Sequence, residues 1–151
     1  MHFKMENNFR LETFTVVAPQ AWKDITETTE QNNMPFTLAR DDGYGALQFS
    51  TAVYKSGQHP NITALTLDEL RHDFANSKGF QDALDEMLLH TPLIVSSGSY
   101  HVGDDFVRVW YCSDGQNVAL VTYVSEFGKQ GDEPKDCDSI VLRLHFDAAK
   151  T

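Results

Sequence analysis

The segment Tyr100–Phe127, YHVGDDFVRVWYCSDGQNVALVTYVSEF, decides how the rest of the chain is read. Its Val, Tyr, Phe and Trp content suits a pleated surface. Two sets of turn residues interrupt it, Gly103-Asp104-Asp105 and Ser113-Asp114-Gly115-Gln116. Asp-Gly between β-rich runs signals a hairpin, because tight hairpin turns need positive φ. The segment therefore predicts a three-strand antiparallel meander. Along its middle strand Val107, Val109 and Tyr111 share one face, and Phe106, Arg108, Trp110 and Cys112 share the other. Neither face is cleanly polar, so both are expected to be covered.

Upstream, Phe9–Val17 alternates as one strand and stops at Ala18-Pro19. Trp22 follows in a short loop and is expected to plug one end of the core. Residues 26–33 read as an exposed loop, Phe36–Arg40 as a strand and Asp41–Gly45 as a turn. Gly45–Tyr54 is a third strand, with Leu47, Phe49 and Val53 on one side, and Lys55–Ile62 is a polar loop. Thr66 and Glu69 match a capping box, and Leu67, Leu70 and Phe74 form a helical stripe ended by Gly79. Phe80, Leu84, Met87 and Leu88 keep helical spacing and predict a second short helix, stopped by Pro92. Leu93–Val102 returns as a strand. Gly128–Asp136 reads as an exposed charged loop. Ile140, Val141, Leu144 and Phe146 fit a closing helix capped by Asp138, while Ile140, Leu142, Leu144 and Phe146 fit a strand; the helix is preferred. This order predicts an α+β class, a largely antiparallel sheet with helices packed on it.

The length of 151 residues points to a single domain, residues 1–151. Such a chain can bury roughly two-thirds of the surface it exposes when unfolded. With 41% hydrophobic residues it needs neither disulfide nor metal for a core. Cys112 and Cys137 are expected to be free thiols, the ordinary state in the cytosol. The start MHFKMENNF lacks a signal-peptide core, and no run approaches the ~20 apolar residues of a membrane helix. The expected location is cytoplasmic. Net charge is −10, with six acids against two bases over Thr66–His90 and eight against three over His101–Asp138. Such a surface repels nucleic acid and anionic membranes and steers basic proteins toward it.

Catalytic signatures are missing. No histidine stands in a zinc spacing, and no glycine set forms a phosphate cradle. Asp41-Asp42-Gly43-Tyr44-Gly45 lacks the alternating acids of a calcium loop. A Cys112 nucleophile would require His101 to face it across the hairpin. The expectation is no catalytic residue, no metal and no cofactor.

A strand, then Pro19-Gln20-Ala21-Trp22, then a strand holding Gly45-Ala46-Leu47-Gln48-Phe49-Ser50, resembles small bacterial proteins of the Mog1/PsbP-like fold. The ending Asp138-Ser139-Ile140-Val141, leading to Phe146, is similar to the closing helix of that group. The resemblance implies no shared catalytic residues, and it includes immunity proteins encoded beside toxins of contact-dependent or type VI secretion systems. The expected function is an immunity protein, monomeric without its toxin, that covers a basic nuclease toxin with an acidic surface. The expected binding residues are Asp104, Asp105, Asp132, Glu133 and Asp136, joined by Asp41, Asp42 and Tyr44, with Tyr44, Tyr54 or Trp110 as aromatic anchors. Alternatives are a small-molecule-binding domain or enzyme with a pocket between sheet and helices, and an effector chaperone.

Overall fold

The computed structural model describes residues 5–11, 14–26, 35–52 and 62–147. The strands before the first helix are β1 (Glu6–Arg10), β2 (Phe14–Pro19), β3 (Trp22–Asp24), β4 (Phe36–Arg40) and β5 (Ala46–Ala52). Helix α1 (Ala64–Ser77) precedes β6 (Asp85–Leu89) and the meander β7 (Ile94–Val102), β8 (Asp105–Ser113) and β9 (Val118–Glu126). Helix α2 (Glu133–Leu142) and β10 (His145–Phe146) close the chain. The expectations for residues 27–33, Val53, Tyr54 and most of the following loop lie outside the described residues.

Two antiparallel sheets result. The larger has the order β3-β4-β5-β9-β8-β7-β6, and the smaller has the order β1-β2-β10. Both meander turns fall where the sequence put them. Gly103 takes φ +59°, and Gly115 takes φ +104°, beside Asp114 Oδ1, which accepts the Gln116 and Asn117 amides. Both faces of β8 are covered. On one, Trp110, Cys112, Val121 and Tyr123 pack against Phe14, Val16 and the α2 residues Cys137, Ile140 and Val141. On the other, Tyr100, Val107, Val109 and Tyr111 pack with Leu67 and Ala75 of α1. Both cysteines are free thiols and buried. No described helix is long and apolar enough to cross a membrane.

Five local expectations need correction. Trp22 is buried as expected, but it stands in a strand and not in a loop, because β3 pairs with β4 with Trp22 opposite Arg40. The expected strand Phe9–Val17 is a hairpin, with Phe9 opposite Val16 and the Leu11 amide donating to the Phe14 carbonyl at 2.9 Å. The buried positions switch from odd to even across it, as Phe14, Val16 and Ala18 point inward. The capping box exists one turn earlier, between Thr63 and Thr66. The helix expected over Phe80–His90 is a loop followed by β6. Only an extended chain can send consecutive residues to opposite faces, and Asp85 and Glu86 do so, reaching Arg108 on one face and Arg71 on the other. Finally, α2 starts at Glu133, not at Asp138, and the charged loop stops at Asp132. Pro134 suits the first turn, where its missing N–H costs nothing. Phe146 then leaves the helix to pair with Phe14 in the small sheet.

Candidate functional site

Strand register gathers four connections at one end of the large sheet. Val102 pairs with Asp105, Asp105 with Glu126, Val124 with Ala46 and Ser99 with Asp85. The β4–β5 loop, the α1–β6 loop, the β7–β8 turn and the start of the β9–α2 loop therefore share that end. The Phe127 amide donates to the Asp104 carbonyl at 2.8 Å, so the chain after β9 starts beside the Asp104 turn. Asp41, Asp82, Asp104, Asp105 and Asp132 are all exposed there. Asp105 and Glu126 stand directly opposite each other, an arrangement of like charges that is unfavourable without a cation. Lys129 reaches Glu126 at 3.4 Å, while Lys135 lies 3.9 Å from Asp132.

Of the remaining expected residues, Glu133, Asp136 and Asp42 are engaged by partners within the fold. Glu133 is buried, at 8% exposure. Its carboxylate accepts the Tyr44 amide at 2.9 Å, the Gly45 amide at 3.0 Å and the Tyr123 hydroxyl at 2.8 Å. It fastens the β4–β5 loop to the first turn of α2 and presents nothing to solvent. Asp136 accepts from Trp22 Nε1 at 3.3 Å and Arg40 Nη1 at 3.2 Å. Arg40 also holds Asp42, and that bond keeps the Asp42 carboxyl below its ordinary range. Tyr44 is exposed, whereas Trp110 is fully buried, its indole N–H donating to Asp138 at 2.8 Å. Tyr44 can serve as an anchor and Trp110 cannot.

Beside the Asp104 turn lies an open depression of about 440 Å³, lined by Phe80, Asp82, Leu84, His101 and the Gly103 backbone. The rings of His101 and Phe127 stack at 3.6 Å between centroids, and Leu84 and Phe127 are 56% and 39% exposed. Sequence reading missed Asp82, Leu84, His101 and Phe127. Reading 80–90 as a helix hid the first two. The apolar Phe127 directly before Gly128, past the last strand residue, was the signal for the other pair.

A second cluster lies between α1 and β6. Arg71, only 1% exposed, donates to Ser96, Tyr100, Asp68 and Glu86. His72 Nδ1–H donates to the Asp68 carbonyl at 2.7 Å. Asp68, His72 and Glu86 bring ligand atoms within 4.8 Å of one another and could hold a divalent ion. The Arg71 guanidinium already bridges both carboxylates, which weakens that chemistry. On the opposite face Arg108 donates to Asp138, Asp85, Ser99 and Ser97. Cys112 is no nucleophile beside His101. It pairs with Val95 across the ladder, whereas His101 pairs with Phe106, and burial pushes its thiol up to about 12.

No protein-family description and no curated protein matches this chain. Solved structures do. The chain is similar to a point-mutant form of the protein Mog1, with 9% identity and a TM-score of 0.59 over 94% of this chain and 96% of that one. It is also similar to the Ran-binding protein Mog1p of Saccharomyces cerevisiae, with 10% identity and a TM-score of 0.56 over the same shares. With two helices and a largely antiparallel sheet among the described residues, the chain has an α+β, Mog1-like fold.

Proposed function

We propose that this chain is a protein-binding module whose acidic sheet end captures a basic partner, and that the partner is a nuclease toxin domain neutralised by occupation of its cleft. One observation carries the reading. Asp41, Asp82, Asp104, Asp105 and Asp132 are exposed at the same end of the sheet, where Asp82 and Leu84 line a depression with His101, whose ring stacks on Phe127. A nuclease cleft is positive because it holds phosphates, so carboxylates fit it and accelerate encounter. Leu84 and Phe127 supply the apolar centre that an acidic rim alone lacks. A protein of this fold, Mog1p, is named as Ran-binding, so the scaffold has a precedent for holding a protein. The immunity role itself rests on the sequence resemblance and the charge.

The test is association with the product of the adjacent reading frame, measured by stopped flow across a salt series. The Asp104→Lys, Asp105→Lys double variant should slow association by about tenfold at low salt, and the difference should shrink as salt rises. Nuclease activity should be lost in the complex. A neighbouring product without nuclease activity, or association that the double variant leaves unchanged at low salt, sets the reading aside.

A further inference from the structure

The large sheet has two edges, and they differ in kind. β3 has three residues, with Lys23 at its centre. Shortness and lysine are common ways of blunting an edge against added strands. β6 has five residues, Asp85-Glu86-Met87-Leu88-Leu89, free of proline, glycine and lysine. It pairs only with β7 among the described residues, so its outer backbone groups face away from the sheet. Leu84 and Leu88 are exposed on the side facing α1, with Glu86 between them. Asp85 and Glu86 are tethered to the buried Arg108 and Arg71, which fix the strand in its extended form from both faces. The surroundings are acidic. Thr66–His90 holds six acids against Arg71 and Lys78, and Arg71 is buried.

We propose that the outer edge of β6 receives an extended basic segment of the protein partner as an added strand. Backbone amides of that segment pair with the free edge, its apolar side chains lie on Leu84 and Leu88, and its Lys or Arg side chains, on the opposite face, meet Asp85. This rests on the protein-binding reading above and states how the partner attaches. The charge selects the occupant. A second copy carries the same −10 and is repelled as it approaches. A basic segment removes that repulsion.

The probe is a short amidated peptide alternating valine with lysine and arginine, titrated at about 50 mM salt with backbone amide NMR shifts followed throughout. Shifts and slowed amide exchange are expected across Asp85–Leu89. N-methylation of alternate peptide amides removes the donors without touching charge, and should weaken binding by about tenfold. Leu88→Lys, on an exposed position that folding tolerates, should weaken it as well. Equal binding of the methylated peptide, shifts confined to Asp104, Asp105 and Phe127, or absence of binding would each overturn the edge proposal. The reading of the sheet end is tested separately, because Asp104→Lys and Asp105→Lys leave β6 intact. A lost effect of those reversals on toxin association speaks against that reading, and a lost effect of N-methylation speaks against the edge.

Discussion

Replacing Glu133 should destabilise the fold more than replacing any exposed acid. Its carboxylate accepts the Tyr44 and Gly45 amides and the Tyr123 hydroxyl. A hydrogen bond to a charged group is worth about 1.5–3 kcal/mol, and a buried donor left without an acceptor costs about 1–3 kcal/mol. The three bonds share one carboxylate, so their contributions do not add. After Glu133→Ala, water can reach the two loop amides, but Tyr123 is fully buried and its hydroxyl loses its carboxylate acceptor, keeping only the Ser125 side chain beside it. The expected loss is about 3–4 kcal/mol. Glu133→Gln keeps an acceptor for Tyr123 but turns an amide N–H₂ toward a backbone donor, for about 1–2 kcal/mol. Tyr123→Phe removes one donor and leaves two in place, for about 1 kcal/mol. The neighbouring Asp132, 93% exposed along its side chain, serves as control, and Asp132→Ala should stay within about 0.5 kcal/mol. Urea unfolding at neutral pH reads all four variants from their midpoints. A Glu133→Ala loss below about 1 kcal/mol, or an equal loss from Asp132→Ala, would refute the role of this carboxylate as the tie between loop and helix.

Arg108→Met should cost about 3 kcal/mol in the same assay, because Asp85 and Asp138 lose their guanidinium and Ser97 and Ser99 their donor; a change under about 1 kcal/mol would be inconsistent with the network. Thr63→Ala should cost about 1 kcal/mol and Glu69→Ala almost none, since the cap is Thr63 with Thr66; the reverse order would restore the cap expected at Thr66. Burial raises the Cys112 thiol from 9.0 to about 12 and moves Cys137 the same way. The stability that the protonated Cys112 thiol lends is complete below about pH 9 and is lost as pH climbs toward 12, by about 1.4 kcal/mol per pH unit. Thiol labelling in native buffer at neutral pH should therefore follow global unfolding, and rapid labelling would contradict the burial.

What the sequence could and could not tell follows from where the deciding interactions lie. The meander was legible because Gly103, Asp114 and Gly115 act within a few residues of themselves, and α1 because its apolar stripe and Gly79 are equally local. β6 was illegible. Phe80, Leu84, Met87 and Leu88 do keep helical spacing, and what overrides it is a pair of distant arginines on opposite faces of the sheet. Glu133 misled for the same reason. Within Asp132-Glu133-Pro134-Lys135-Asp136 it looks like one more solvated charge, yet its partners are backbone amides almost ninety residues upstream. Of the expected binding residues, Asp104 in the two-residue turn and Asp105 at the first position of β8 stayed at the surface, because nothing among the described residues packs over that end of the hairpin to bury them. Those drawn into α2 were given structural partners by the helix.

The carboxylates of Asp82, Asp104 and Asp105 make no side-chain bond among the described residues, and this separates two kinds of heritable change. Substitutions at Arg71, Arg108 or Glu133 are screened by folding before any partner is met. Substitutions at the rim pass that screen and are judged only by what they bind. A lineage can therefore exchange one partner for another through a few rim residues while the scaffold stays as it is, and two descendants can hold different partners on the same backbone.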